Sequence, residues 1–411
     1  MQQVAVTGLG VVSPVGIGLQ DFWNSLVNGK SGVSRITKFD SSPFTSQIAG
    51  QLPDFDPSTK LSNKEIRRMD PFCHYALYAT YEAVEDSKLE FERLDKDRIG
   101  VIYASGVGGI IAWARENKKF LEGGPRRVSP FFIPSLTINT ASGIIAIKLG
   151  FRGPNFGVVS ACASSGHAIG EAFRKVRLGE VDIMITGGTE APIDPLALAG
   201  FCAMKALSTR NDAPEKASRP FDRDRDGFIM SEGAVTLILE RMDLALKRGA
   251  NIYGEIIGYG ASDDAYHITA PDETGEAQVL AIKMALKEAN IKPDDIQYIN
   301  AHGTSTLYND RVETTVVKKV FGERAYDINI SSTKSITGHL LGAASAIEAA
   351  STLMTLKEGI IPPTINYETP DPECDLNYTP NESIEKDIEY AISNSFGFGG
   401  HNVALVFKKY R

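Results

Sequence analysis

The chain has 411 residues, 43 Lys plus Arg against 51 Asp plus Glu for a net charge of −8, and 43 % apolar residues. That acidity argues against a general nucleic-acid binder, which needs a basic surface, and the length allows two or three domain-sized units with a core that needs no staples. No apolar run reaches the roughly 18 residues of a membrane helix, the start of the chain shows no leader pattern, and the four scattered cysteines (Cys73, Cys162, Cys202 and Cys374) read as free thiols in a reducing compartment.

Along the chain, β-branched runs alternate with segments of helical period. Val4–Thr7, Ile99–Ala104, Val181–Thr186, Val235–Leu239, Ile252–Tyr259, Ile296–Asn300, Tyr390–Ser393 and Val403–Phe407 read as buried strands. Ile66–Asp86, Ala163–Leu178, Gln278–Ala289 and Ser345–Lys357 read as helices, the last with Ile347, Ala350, Leu353, Met354 and Leu356 on its apolar face. The alternation predicts an α/β fold with buried, parallel strands. Asn211–Asp226 reads as a long surface excursion, and a weak boundary falls near Arg248–Gly249.

Two apparent motifs mislead. Gly8-Leu9-Gly10 follows a strand like a dinucleotide fingerprint, but the third glycine is missing and Pro14 follows, so a tight strand-to-loop turn is expected. Asp222-Arg223-Asp224-Arg225-Asp226-Gly227 resembles the start of a calcium loop. Its twelfth position is Gly233 rather than an acid, and two arginines oppose a cation, so Asp/Arg pairing is expected instead.

Four short stretches carry chemistry. Ser160-Ala161-Cys162-Ala163-Ser164-Ser165-Gly166-His167 places Cys162 where a strand gives way to a helix, and a helix start lowers a thiol's pKa; a small buried hydrophobe is the equal alternative. Asn300-Ala301-His302-Gly303-Thr304-Ser305-Thr306 runs off a strand end, where α/β proteins build sites; alone, His302 reads as a core histidine. Ser332-Thr333-Lys334-Ser335-Ile336-Thr337-Gly338-His339 leads into a small-residue helix bearing Glu348, a candidate partner for a buried Lys334; otherwise the pair is a surface lysine and a capping histidine. Asn394-Ser395-Phe396-Gly397-Phe398-Gly399-Gly400 is a glycine loop able to approach a ligand, or a bulge beside packed aromatics. One thiol, two histidines, one lysine and a glycine loop, in that order, make a specific set.

That set resembles the β-ketoacyl-[acyl-carrier-protein] synthase II family, the condensing enzymes of fatty-acid synthesis. The resemblance spans nearly the whole chain, through Val6–Gly10, Gly153-Pro154-Asn155, Gly187–Ala191, Ala206–Arg210 and Arg219–Asp222. It implies a thiolase-like fold of two similar halves, 1–250 and 251–411, in five layers (α-β-α-β-α). It implies Cys162 as the acyl nucleophile, His302 and His339 for malonyl decarboxylation and condensation, and Lys334 in support, held by Glu348. Phe398 corresponds to the gatekeeper, its N–H and that of Cys162 forming an oxyanion hole; Thr304 and Thr306 correspond to contacts of the phosphopantetheine arm, and Val107, Phe201 and Phe396 to further substrate contacts. No metal or cofactor is implied beyond the phosphopantetheine that an acyl carrier protein brings. The basic residues Lys64, Arg67 and Arg68, with Lys205, match a carrier-docking patch, against the plain reading of a solvated helix start. A cytoplasmic homodimer is implied, or a heterodimer with a related ketosynthase subunit, without nucleic acid or membrane.

The chain departs from the family pattern at Ser165, Leu307 and Ser231 and over Ile138-Asn139-Thr140. None of these carries the chemistry, but they leave substrate choice open between fatty-acid elongation and a specialised polyketide or polyene pathway. A non-catalytic chain-length subunit is disfavoured by the retained cysteine and histidines. A thiolase is disfavoured by two histidine motifs after the cysteine, and a cysteine hydrolase by the second His-Lys element.

Overall fold

In the computed structural model, which describes residues 1–52 and 54–411, the β-branched runs lie side by side in one mixed sheet. Its strands are β1 (Val4–Ser13), β2 (Ile99–Ala104), β3 (Asn155–Val158), β4 (Ile183–Glu190) and β5 (Gly233–Arg241), then β6 (Gly254–Asp263), β7 (Tyr298–Asn300), β8 (Asn329–Ser331), β9 (Tyr390–Gly397) and β10 (His401–Lys408). The order across the sheet is β8-β7-β9-β10-β6-β1-β5-β4-β2-β3. Read from its outer edge, each half follows the same path, third, second, fourth, fifth and first strand, and the two first strands meet at the centre.

The expected all-parallel arrangement is not what forms. In each half the third, second and fourth strands run parallel, while the fifth and first are antiparallel to their neighbours. The reason is connectivity. Parallel neighbours need helical crossovers, and the short turn Phe398–Gly400 between β9 and β10 permits only a hairpin.

The helices complete five layers: α1 (Pro71–Ser87), α2 (Asn139–Leu149), α3 (Ser164–Arg177), α4 (Glu276–Ala289), α5 (Leu307–Phe321) and α6 (Ala344–Glu358). Successive strand side chains point to opposite faces, so Ile102 meets the central α3/α6 layer while Val101 and Tyr103 meet α1 and α2. Likewise Leu405 faces the centre and Val406 faces α4 and α5. The central α6 is buried from Ala344 to Leu356 on all sides, which explains its run of small residues.

The single helix expected over Ile66–Asp86 is broken. Asp70 turns extended, its carboxylate accepts the Phe72 N–H at 3.2 Å, and Pro71 starts α1 afresh, leaving Asn63–Arg68 as a separate short helix. Gly8 and Gly10 are no turn either. They lie inside β1, where a Cβ would strike the α1 backbone. The Asp222 loop is laced as expected: Asp222 accepts from Arg219 at 3.0 Å and from the Glu368 and Thr369 N–H groups at 2.7 Å, and Arg225 reaches Asp371 at 2.6 Å.

Candidate active site

Cys162 sits on an elbow. After β3, Ala161 takes φ 49°, a conformation costly for a residue with a Cβ, and a short turn feeds α3. Ser164 closes the elbow: its hydroxyl accepts the Ser160 N–H at 2.8 Å and donates to the Ala161 carbonyl at 2.6 Å. The thiol is thereby held over the cavity with only 8 % of the residue exposed.

The second half supplies the histidines. Beyond β7, the N–H groups of His302 and Gly303 donate to the Glu313 carboxylate at 2.8 and 2.7 Å, which fixes the loop. Lys334 opens a short helix, Lys334–Thr337, and its ammonium donates to the His302 carbonyl at 2.6 Å and lies 3.3 Å from His302 Nδ1. Its ion-pair partner is Glu348 on α6, and both are buried. With an ammonium against Nδ1, the imidazole of His302 carries its proton on Nε2. The Lys334–Thr337 helix ends at Gly338, and His339 places Nε2 3.1 Å from Cys162 Sγ. The two imidazoles stand edge to face, centroids 5.6 Å apart.

Burial dominates the electrostatics. The Cys162 thiol is pushed up to about 11 by desolvation, with the Lys334 charge and the Phe398 N–H pulling the other way. Of the two readings that the sequence left even, burial rather than the helix start sets the thiol's pKa. Desolvation, and then the Lys334 charge, hold His302 and His339 well below the ordinary imidazole range, so both are neutral donors at neutral pH. Desolvation pushes the carboxyls of Glu313 and Glu348 up to about 7, against the N–H donors of Gly303 and His302 in one case and Lys334 in the other.

These groups open onto a cavity of about 550 Å³. Cys162, His302, His339, Phe396, Phe398, Val107 and Phe201 all line it. Thr304 and Thr306 line it too, their hydroxyls 2.9 Å apart, and Lys205 and Leu307 also border it. Lys334 and Glu348 are not among its lining residues; Lys334 contacts the His302 backbone and ring. Lys64, Arg67 and Arg68 are brought to a different place, the exposed face of the Asn63–Arg68 helix, where Arg68 also stacks on Phe131 at 4.6 Å. One Sγ and two ring nitrogens, from Cys162, His302 and His339, lie within 4.8 Å of one another. Such a donor set suits Zn²⁺, which would tie up the sulfur.

The sequence reading missed Glu313 because α5 was not recognised, although Val312, Val316, Val317, Val320 and Phe321 recur at helical spacing along Leu307–Phe321. Of the departures, Leu307 borders the cavity, while Ser165 and Ser231 act through hydrogen bonds to the backbone around the site. Ser165 accepts the Ala346 N–H at 3.0 Å, and Ser231 donates to the Thr337 carbonyl at 2.7 Å.

A duplicated five-layer fold, with a thiol on the elbow of one half facing histidines from the other, defines a thiolase-like ketosynthase. Comparison with known proteins agrees. The family models described as "Beta-ketoacyl synthase, N-terminal domain" and "Beta-ketoacyl synthase, C-terminal domain" match residues 1–245 and 253–368. The 3-oxoacyl-[acyl-carrier-protein] synthase 2 of Synechocystis sp. is 52 % identical over 410 residues, covering 100 % of this chain and 99 % of that protein. Its namesake from Staphylococcus aureus is 49 % identical over 409 residues, with the same coverage. Among solved structures, the ishigamide ketosynthase/chain length factor superposes with a TM-score of 0.94 at 33 % identity over 100 % of both chains. A type II PKS acyl-carrier protein in complex with its ketosynthase gives 0.91 at 37 % identity, again over 100 % of both chains. The chain belongs to the β-ketoacyl synthase family.

Proposed function

We propose that this chain joins an acyl group to malonyl-acyl carrier protein by decarboxylative Claisen condensation, giving 3-oxoacyl-acyl carrier protein during fatty-acid elongation. The observation that carries the reading is the 3.1 Å approach of His339 to Cys162 beside a second neutral imidazole held by Lys334. The sulfur of Cys162 attacks the acyl thioester, a new C–S bond forms, and the carrier thiol leaves with the proton. Malonyl thioester then loses CO₂, and the electron pair of the broken C–C bond becomes an enolate whose oxygen is held by His302 and His339. The enolate carbon attacks the acyl carbonyl, the N–H groups of Cys162 and Phe398 hold the oxyanion, and the Cys162 thiolate leaves. The departing Cys162 thiolate takes up one proton from solvent, which restores the thiol, and the electron pairs balance without a metal or redox cofactor. The wall residues Val107, Phe201 and Phe396 contact the acyl chain, and Thr304 and Thr306 bond the phosphopantetheine arm.

The relatives at 52 and 49 % identity favour elongation over a specialised polyketide pathway, whose solved representatives stand at 33 and 37 %. The acyl carrier protein docks on Lys64, Arg67 and Arg68, with Lys205 at the entrance. Two copies pair through β3, an edge strand flanked by exposed Ile147, Phe156 and Val159. Halves 1–250 and 251–411 are read as two copies of one unit. No helix among the described residues is long and apolar enough to cross a membrane, and the free cysteines suit the reducing cytoplasm. The direct test is intact mass after incubation with an acyl thioester. One acyl group is expected on the protein and none on Cys162→Ala; labelling of Cys73, Cys202 or Cys374 instead refutes the assignment.

A further inference from the structure

The two halves carry matching elbows. β3 leads through Ala161 (φ 49°) and the turn Ala161–Ala163 into α3; β8 leads, past His339, through Leu341 (φ 47°) and the turn Leu341–Ala343 into α6. Gly342 therefore stands in the second half where Cys162 stands in the first, and its N–H is the counterpart of the Cys162 N–H. It is not left open. It donates to Glu190 Oε2 at 2.8 Å.

Glu190 ends β4, is 0 % exposed, and accepts three further hydrogen bonds: from Gly106 N at 2.7 Å, Val107 N at 3.1 Å and Ser105 Oγ at 2.9 Å. Among the described residues no cation pairs with it. Burial pushes its pKa up while the three N–H donors pull it down. A carboxylate is kept in such a place only where dipoles converge on it. Around it Gly106 and Gly342 press together so closely that a Cβ on either would strike the other residue or the carboxylate. Gly106, Val107 and Leu341 all line the cavity, and His339 lies three residues before Gly342.

We propose that Glu190 is a positioning residue: its carboxylate fills the silent elbow of the second half as a built-in anion and ties the cavity wall at Gly106–Val107 to the turn that follows His339. This rests on the condensation chemistry proposed above. The wall sets where the acyl chain lies and the turn sets where the enolate oxygen is held, so one carboxylate fixes the distance between the two reacting carbons. A misplacement of about 1 Å can cost about 100-fold in rate.

The test uses Glu190→Gln, which keeps the shape but turns an NH₂ group toward N–H donors. Intact mass after acylation counts competent sites, and malonyl decarboxylation and acylation by short and long acyl thioesters are measured per competent site. Decarboxylation kcat should fall about tenfold or more with KM within about twofold, and the ratio of short to long acyl rates should shift about threefold. Should that variant fail to fold, Ser105→Ala removes one donor, keeps the carboxylate, and should move the same ratios in the same direction. A merely structural role lowers the count of competent sites and leaves every ratio per site unchanged; unchanged ratios in a folded variant overturn the proposal. A wild type that neither self-acylates nor decarboxylates overturns the condensation reading, and this one with it.

Discussion

The buried Lys334–Glu348 pair separates what holds the site together from what the site does. Lys334 is 2 % exposed and Glu348 0 %, so removing one partner strands the other in a low-dielectric setting, at a cost of about 3–5 kcal/mol. The two single variants should differ in their pH response. In Lys334→Met the carboxyl, already pushed up to about 7 by burial, loses the charge that was holding it down and rises further. A carboxyl with a raised pKa in the folded state stabilises the fold below its unfolded pKa and loses that contribution as pH rises. The stability of Lys334→Met should therefore fall by about 1.4 kcal/mol per pH unit from roughly pH 5 until the carboxyl ionises. Glu348→Gln leaves a lysine and should be the less stable of the two at pH 6. The double variant Lys334→Met/Glu348→Leu replaces the pair by apolar groups of similar volume and should return to within about 1 kcal/mol of the wild type. It should not recover decarboxylation. Without the ammonium at the His302 carbonyl and Nδ1, His302 is no longer held as an Nε2–H donor, and losing an enolate donor costs about 100-fold. Urea unfolding between pH 5 and 9, with CO₂ release from malonyl thioester, reads both quantities. If the double variant regains decarboxylation together with stability, Lys334 has no role in orienting His302 and the reasoning fails.

Three more outcomes follow from the site. His302→Ala and His339→Ala should each lose about 100-fold or more in malonyl decarboxylation while Cys162 still acylates at least in part; a native CO₂-release rate in either variant contradicts the enolate assignment. Alkylation of Cys162 by iodoacetamide, followed by mass spectrometry, should rise about tenfold per pH unit toward pH 10, because burial pushes the thiol up to about 11; a plateau near pH 8 refutes a thiol raised by burial. Arg67→Glu/Arg68→Glu should raise KM for the carrier protein, with an effect that fades as salt increases, and leave small pantetheine thioesters unaffected; unaltered carrier affinity at low ionic strength rules out the docking face.

The chemistry was more legible than the scaffold. Cys162, His302, Lys334, His339 and Phe398 stand out because each sits in a glycine- or serine-rich stretch at a strand end, where residue type and local conformation coincide. Glu348 could be paired with Lys334 because a buried ammonium demands an anion. Glu313 and Glu190 could not be read, since their partners are backbone N–H groups, which every residue has. The strands of 99–104 and 390–397 announce themselves by β-branched runs, whereas β3 and β8 are too short and too polar at Asn155 and Asn329 to show any period. The thiol's pKa was left open for a related reason: a helix start is visible in sequence, but the desolvation that outweighs it depends on what packs over the sulfur.

The duplication shows why sequence alone could suggest two halves and yet not establish them. The two elbows share a left-handed φ, 49° at Ala161 and 47° at Leu341, followed by the same tight turn and a helix of similar length. They share almost no side chains: Ala-Cys-Ala-Ser in one half, Leu-Gly-Ala-Ala in the other. What the halves have in common is backbone, and backbone conformation at a strained position is set by tertiary packing rather than by the residue that occupies it. Having two such elbows lets one keep a thiol while the turn before the other carries the histidine that faces it. A single copy of the fold has one such elbow, and so could not set a thiol on one elbow 3.1 Å from a histidine that precedes the other.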